Sequence, residues 1–157
     1  MGLEIERKFL VRSDSWRSAA TGSRHIRQAY LAMTDAANVR VRIVDDRKAV
    51  LTIKSAAPGL VRSEFEYAVP LADAEEMMAL RAGDCIEKRR YIVPAGIDRD
   101  RAANWEVDVF EGCHEGLVLA EIELAEGVEI GVLPDWLGEE VTGDRRYYNA
   151  ALACAAR

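Results

Sequence analysis

The sequence predicts a mainly β domain of eight short antiparallel strands with only two or three helices. Eight segments alternate between apolar and polar residues, which is the period of a strand with one buried face. Turn-forming residues separate these segments, and one stretch in the middle of the chain follows the helical period instead. Eight strands in this arrangement are typical of a closed barrel or a sandwich.

The predicted elements follow one another with few interruptions. Strands are predicted over residues 4–11, 25–33, 39–44, 49–55, 61–69, 86–93, 105–110 and 117–125. A short polar helix is predicted over 13–17, and a longer helix lies within 70–84, where Gly83 can provide the C-terminal cap. The tail from Pro134 onward is predicted to be helical in two pieces separated by Gly143.

Length, charge and cysteine usage restrict the class of protein. A chain of 157 residues suits one domain, 1–157, and its net charge of −6 argues against a broad nucleic-acid surface. No apolar run approaches the roughly 18 residues of a membrane span, and the first residues lack the apolar region of a signal peptide. Three widely spaced cysteines in no metal-binding pattern indicate free thiols in a reducing compartment, so a cytoplasmic location is expected.

Charged residues recur at every second position in most of the predicted strands. In the first strand, Glu4, Glu6 and Lys8 share one face, because residues two apart in a strand point the same way. Two carboxylates beside an ammonium group would suit a divalent metal bound with phosphate. Across the chain these rows hold eight acids and seven bases: Glu4, Glu6, Lys8, Arg40, Arg42, Lys54, Arg62, Glu64, Glu66, Lys88, Arg90, Glu106, Asp108, Glu121 and Glu123.

Two arrangements are compatible with these rows. In an ordinary barrel the apolar face is inside and the charges are solvated. In an inverted barrel the charges line a wet interior, and helices or a partner subunit cover the apolar exterior. The rows contain few uncharged polar residues, and acids and bases segregate by strand, which favours inversion. Because burying an ion dry costs several kcal/mol, such an interior would hold water, metal ions and a polyanion. The pattern alone leaves both arrangements open.

The motifs resemble those of the CYTH proteins, the triphosphate tunnel metalloenzymes. Their Glu-x-Glu-x-Lys signature is similar to Glu4-Ile5-Glu6-Arg7-Lys8. The resemblance covers essentially the whole chain, through Gln28-Ala29-Tyr30-Leu31, Arg40-Val41-Arg42, Leu51-Thr52-Ile53-Lys54, Arg62-Ser63-Glu64-Phe65-Glu66, Lys88-Arg89-Arg90, Trp105-Glu106-Val107-Asp108-Val109-Phe110, Leu119-Ala120-Glu121-Ile122-Glu123-Leu124 and Thr142-Gly143-Asp144-Arg145-Arg146-Tyr147-Tyr148-Asn149. It implies an eight-stranded antiparallel tunnel with a charged lumen, closed at one end by a C-terminal helical plug at about 134–157.

The resemblance also implies roles for the charged residues. The bases would grip phosphate oxygens: Lys8, Arg40, Arg42, Lys54, Arg62, Lys88 and Arg90. The acids would hold Mg²⁺ or Mn²⁺, with Glu106 the weakest candidate after Glu4, Glu6, Glu64, Glu66, Asp108, Glu121 and Glu123. Some acids can instead orient bases. The residues expected to be catalytic are Glu4, Glu6, Lys8, Lys88 and Glu123.

The activity implied is metal-dependent hydrolysis of inorganic tripolyphosphate to pyrophosphate and phosphate. Thiamine triphosphatase and class IV adenylate cyclase are alternatives within the family. A binding module without turnover is disfavoured, since binding alone would need the bases more than the acids.

Three further expectations concern residues outside the charged rows. His25 and His114 have no partner at ligand spacing, so structural or surface roles are expected for both. Arg145 or Arg146 could reach the substrate or lie on a solvated helix face. A homodimer is expected if the apolar rows face outward, because few helices are available to cover them.

Overall fold

A nine-stranded antiparallel sheet dominates the computed structural model, which describes residues 4–55, 63–96 and 103–153, and only the backbone of Glu4. The mainly β class is therefore confirmed. The strand order is β5-β4-β3-β2-β6-β7-β8-β1-β9. The strands are β1 (Glu4–Val11), β2 (Gly22–Met33), β3 (Ala37–Val44), β4 (Lys48–Ser55), β5 (Glu64–Val69), β6 (Ile86–Pro94), β7 (Asn104–Glu111), β8 (Val118–Ala125) and β9 (Leu137–Glu140).

Helices are short and few in the described part of the chain. The predicted central helix is present as α1 (Leu71–Ala79), and a second helix, α2, covers Asn149–Ala153. Three 3-10 segments occupy Ser15–Ala19, Gly112–His114 and Arg145–Tyr147. Among the residues described, no helix is long and apolar enough to cross a membrane.

The ninth strand lies where the sequence predicts helix, so that prediction is wrong over Leu137–Glu140. β9 pairs with β1, and the Val141 N–H donates to the Lys8 carbonyl at 2.8 Å. Gly138 permits the close approach, because a Cβ at this position would lie 3.2 Å from the Leu10 carbonyl oxygen. Pairing with an existing strand edge, which local sequence does not encode, thus overrides the helical signal.

Closure into an eight-stranded barrel is not confirmed by the strand order. The described residues form nine strands, and their order ends at β5 on one side and at β9 on the other. β9 itself accounts for the extra strand, since it covers the edge of β1 that would otherwise present unpaired backbone groups.

The chain divides into two compact units, and the first has an aromatic core. Unit 1 comprises residues 1–24, 89–110 and 115–145. Trp105 packs edge-to-face against Phe9 and Trp136, with ring centroids 5.6 Å apart in both pairs. Around them lie buried apolar residues of β1, β6, β7, β8 and β9, including Val107, Ala120, Ile122, Leu124, Val93 and Leu137. This core uses the apolar residues that alternate with the acidic rows.

Unit 2 comprises residues 25–88, 111–114 and 146–157. Its core forms where Ala74 and Met78 of α1 meet the apolar face of β3, at Val41 and Ile43. A helix therefore covers this apolar face, as the inverted arrangement requires. The turn between β3 and β4 contains Asp45 and Asp46 at φ of 52° and 51°, which suits the tight turn of a hairpin.

Candidate active site

The pairing of β1 with β8 brings two charged rows of unit 1 side by side. Glu6 lies opposite Glu123 and Lys8 lies opposite Glu121 in the strand register. The register of β7 places Glu106 opposite Glu121 in turn. Because Phe9 and the other intervening residues enter the apolar core, the charged row faces the other side of the sheet.

Glu6, Glu121 and Glu123 form the acidic cluster of unit 1. Each offers a carboxylate oxygen, and these oxygens all lie within 4.8 Å of one another. The pKa of Glu121 is raised to about 8, first by burial and then by the hydrogen bond and charge of Glu6, against the opposing charges of Lys8 and Arg90. Crowding of like charge disfavours the ionised cluster, so a divalent cation bound here would relieve the repulsion. Three hard oxygen ligands fit Mg²⁺ or Mn²⁺.

Lys8 is the cation next to this cluster. Its ammonium nitrogen lies 3.9 Å from Glu121 Oε2, and the residue is buried. The Lys8 backbone is held on its other edge, since its N–H donates to Thr142 Oγ1 at 3.0 Å. Lys8 therefore lies beside a carboxylate, as its row in the sequence indicates. The Glu121 carboxylate that it contacts belongs to β8, the neighbouring strand.

Arg90 and Asp108 form a separate, bidentate pair in unit 1. The Nε and a terminal nitrogen of Arg90 donate to the two Asp108 oxygens at 2.8 and 2.9 Å, and a second terminal nitrogen lies 2.5 Å from Glu106. Burial alone would lower the pKa of Arg90, but the bonds to Asp108 and the nearby carboxylates raise it overall. Asp108 is therefore paired with an arginine in the structure, whereas the sequence suggests Asp108 as a metal ligand.

The basic residues of unit 2 are positioned by neutral polar partners. Arg42 Nε donates to Gln28 Oε1 at 2.8 Å, and a terminal nitrogen of Arg40 lies 3.5 Å from Thr52 Oγ1. Gln28 and Thr52 are almost completely buried on β2 and β4. Sequence reasoning assigned neither a role. The available signal was that each residue lies within one of the motifs shared with the CYTH proteins, Gln28-Ala29-Tyr30-Leu31 and Leu51-Thr52-Ile53-Lys54.

Lys88 is fully buried in unit 2, which is exceptional for a lysine. Its ammonium donates to Asn149 Oδ1 at 3.4 Å, so the first residue of α2 takes part in its surroundings. An amide oxygen stabilises an ammonium without neutralising its charge. The two residues are 61 positions apart, and no local pattern in the chain predicts their contact.

The remaining predicted site residues lie outside the acidic cluster or outside the described part of the chain. Glu64 and Glu66 are exposed on β5, opposite Lys54 and Thr52 in the register, and neither belongs to a metal-sized cluster among the described residues. Arg146 stacks on the ring of Tyr147 at 5.5 Å. Arg62 and the side chain of Glu4 lie outside the described part of the chain.

The two histidines differ in their surroundings. His114 Nε2 donates to the Leu152 carbonyl oxygen at 2.8 Å. This contact attaches the 3-10 segment that ends at His114 to α2, which fits the expected structural role. His25 lies beside two carboxylates, Glu87 and Glu111, which the sequence does not suggest as partners.

Comparison with known proteins connects these features to a family. The CYTH domain family model matches residues 2–148. An inorganic triphosphatase of Acetivibrio thermocellus is 43% identical over 153 residues, covering 97% of this chain and 94% of the relative. An inorganic triphosphatase of Nitrosomonas europaea is 36% identical over 158 residues, covering 96% of each chain.

Solved structures agree with this comparison. The crystal structure of an inorganic triphosphatase superposes with a TM-score of 0.73 at 33% identity, covering 99% of this chain and 97% of that one. A putative adenylyl cyclase from Hippeastrum, whose structure is described as revealing a dominant triphosphatase activity, has a TM-score of 0.56 at 16% identity. It covers 77% of this chain and 79% of its own and shares the fold alone.

Proposed function

The chain belongs to the CYTH domain family, and from that membership we propose that it hydrolyses inorganic tripolyphosphate to pyrophosphate and phosphate. The observation that carries the proposal is the acidic cluster of Glu6, Glu121 and Glu123 beside the buried Lys8. Sequence relatives that match nearly the whole chain are named inorganic triphosphatases, which supports the same substrate class.

Glu6, Glu121 and Glu123 would hold Mg²⁺ or Mn²⁺, with Glu4 as a further candidate ligand at the start of β1. When bound, the metal ion supplies charge neutralisation on the phosphate oxygens and an acidic centre that favours ionisation of water. The donor set fits this cation, because three carboxylates in close contact repel one another without it.

The basic residues would bind the phosphates and stabilise the transition state. Phosphoryl transfer spreads negative charge over the oxygens of the transferred group, so cations fixed in advance lower the barrier. Gln28 and Thr52 hold Arg42 and Arg40 in position, and burial limits the movement of Lys88. Lys8, Lys54 and Arg90 complete the set in the described chain, and Arg62 is a further candidate from the sequence.

Water, rather than a side chain, would be the nucleophile. Its oxygen forms a bond to a terminal phosphorus while the bridging P–O bond breaks, and pyrophosphate leaves. A carboxylate of the acidic cluster would orient this water and accept its proton. The reaction therefore requires no serine, cysteine or histidine nucleophile.

Four finer features belong to the proposal. We propose that the strands form the closed eight-stranded tunnel implied by the family resemblance, with β9 as an addition. We also propose a plug formed by the C-terminal segment, a homodimer and a cytoplasmic location. The exposed Phe65 and Tyr67 on the apolar face of β5 support the dimer, because aromatic side chains are common at protein interfaces. A monomer in light scattering at micromolar concentration would contradict it.

A substrate panel tests the proposal. Tripolyphosphate, ATP and thiamine triphosphate would each be incubated with Mg²⁺ or Mn²⁺, followed by measurement of phosphate release and chromatography of the products. We expect the highest kcat/KM for tripolyphosphate, with pyrophosphate and phosphate as products. Cyclic AMP from ATP would instead support the cyclase, preference for thiamine triphosphate would support that triphosphatase, and binding without turnover would support a binding module.

A further inference from the structure

His25, Glu87 and Glu111 form a second group of potential metal ligands, the His–Glu–Glu cluster. One ligand atom from each lies within 4.8 Å of the other two. The residues come from β2, β6 and the end of β7, which are consecutive neighbours in the sheet. By strand alternation, Glu87 lies on the opposite face of β6 from Lys88 and its buried row. The cluster is therefore separate from the proposed substrate-binding residues of unit 2.

An ordinary ion pair explains only part of this geometry. His25 Nε2 lies 2.8 Å from Glu87 Oε1, which is a normal hydrogen-bond distance, but 3.8 Å from Glu111 Oε2, which is too long. The single proton on this nitrogen can satisfy one carboxylate but not both. Two carboxylates with one imidazole carry the charge that a divalent cation would neutralise, so a metal ion can satisfy all three groups together.

The distances are close to those of a bound transition metal. Metal–nitrogen and metal–oxygen bonds of about 2.0–2.2 Å in a tetrahedral site separate the ligand atoms by roughly 3.3–3.6 Å. The two distances from His25 Nε2, 2.8 and 3.8 Å, lie on either side of this range, and shifts of about half an ångström would bring both into it. An imidazole ligand favours Zn²⁺ and its neighbours over Mg²⁺, which prefers oxygen ligands alone.

Accessibility and backbone support also suit a binding site. The side chain of His25 is 20% exposed, while those of Glu87 and Glu111 are 41% and 43% exposed, so an ion and its remaining waters can enter. Asp45 binds both backbone polar groups of His25: the His25 N–H donates to Asp45 Oδ1, and the His25 carbonyl accepts from the Asp45 N–H, both at 2.8 Å.

From this geometry we infer that His25, Glu87 and Glu111 bind one divalent transition-metal ion of the Zn²⁺ type, with solvent at the remaining positions. The ion would connect the ends of three neighbouring strands and stabilise unit 2. This site is independent of the proposed hydrolysis, which uses oxygen ligands in unit 1.

Histidine NMR provides a direct test, because the chain has two histidines. The metal-free protein would be titrated with Zn²⁺ in excess Mg²⁺, which saturates oxygen-only sites. We expect the imidazole signals of His25 to shift at one equivalent and those of His114, the internal control, to stay unchanged. Unchanged His25 signals at millimolar Zn²⁺ would overturn the inference, and the cluster would then be only an ion pair of His25 with Glu87.

Variants provide a second test by calorimetry and thermal unfolding. His25→Gln and Glu111→Gln should each weaken Zn²⁺ binding at least about tenfold and remove the Zn²⁺-dependent rise in Tm. His114→Gln is the matched control and should retain both. Wild-type Zn²⁺ affinity in a folded Glu111→Gln protein would overturn the three-ligand site. If a variant fails to fold, the titration of the unmodified protein decides.

Discussion

The Lys8 ammonium nitrogen lies 3.9 Å from Glu121 Oε2, across the pairing of β1 with β8. This distance is too long for a hydrogen bond, so charge alone holds this pair. Lys8 is buried beside a carboxylate cluster that would bind metal, so a phosphate group entering here could be bound by the Lys8 ammonium and the metal ion together. The pair is therefore the centre of the functional account.

Replacing Lys8 by alanine should reduce tripolyphosphatase activity by about a hundredfold or more. Removal of one positioned charge that stabilises a transition state typically costs ~3–4 kcal/mol. Steady-state phosphate release measures the loss, and circular dichroism checks that the variant is folded. Lys48→Ala, at an exposed position that begins β4, is the matched control and should retain activity. Full activity in a folded Lys8→Ala protein would exclude Lys8 from the site.

Glu121→Gln should stabilise the metal-free protein above about pH 8 while weakening metal binding. Burial and Glu6 raise the pKa of Glu121 to about 8, so the folded state holds a proton there that the unfolded chain, with its lower carboxyl pKa, has lost. Stability therefore falls as pH rises from about 4.5 to 8. The neutral amide of Glu121→Gln cannot ionise, so this fall in stability with rising pH is absent from the variant. Differential scanning calorimetry with a chelator present should show a higher Tm for the variant than for the wild type at alkaline pH. An equal or lower Tm would contradict the destabilisation of ionised Glu121 by burial and by Glu6.

Asp108 and Glu123 should differ in their effect on metal affinity. The bidentate pairing of Asp108 with Arg90 predicts that Asp108→Asn changes Mn²⁺ affinity only slightly. Glu123→Gln removes a proposed ligand and should weaken Mn²⁺ binding at least about tenfold. Electron paramagnetic resonance of free Mn²⁺ gives both affinities. Equal losses of Mn²⁺ affinity in the two variants would indicate that Asp108 is a metal ligand after all.

Gln28 should act on substrate binding through Arg42. Gln28→Met keeps the volume of the buried side chain but removes the acceptor at 2.8 Å from Arg42 Nε. Because the guanidinium then loses its orientation, we expect the KM for tripolyphosphate to rise roughly tenfold, equivalent to ~1.4 kcal/mol, with a smaller change in kcat. Gln28→Glu, which retains an acceptor, should recover part of the loss. An unchanged KM in Gln28→Met would show that Arg42 needs no such support.

The pair of Arg7 with Glu140 should contribute modestly to stability through β9. The hydrogen bond from Arg7 lowers the pKa of Glu140 to about 2, so the stabilisation is present above the unfolded carboxyl pKa and disappears as pH falls toward 2. Both side chains are partly exposed, which limits the effect to less than about 1 kcal/mol. Glu140→Gln should lower Tm near neutral pH but not at acid pH, with Glu139→Gln as control. A pH-independent difference would exclude the ion pair as the cause.

The sequence predicted the rows of the site better than their contacts. Spacing of two placed Glu6 and Lys8 on one face, because strand alternation is a local property. Their partners depend on register, which is set by the pairing of distant strands. For the same reason the sequence did not suggest Glu111 as a partner of His25, and α1 was predicted correctly because its apolar period is local. β9 was missed because it forms only against the edge of β1.

Phosphate release from tripolyphosphate, measured for wild type and Glu6→Gln with Mg²⁺, with Mn²⁺ and with a chelator, decides whether the acidic cluster supports metal-dependent hydrolysis. We predict that the wild type releases one phosphate per tripolyphosphate only with metal present. A folded Glu6→Gln protein should have less than about one hundredth of this rate, and Glu139→Gln should equal the wild type. Wild-type activity in Glu6→Gln, or activity that persists with the chelator, would contradict the account.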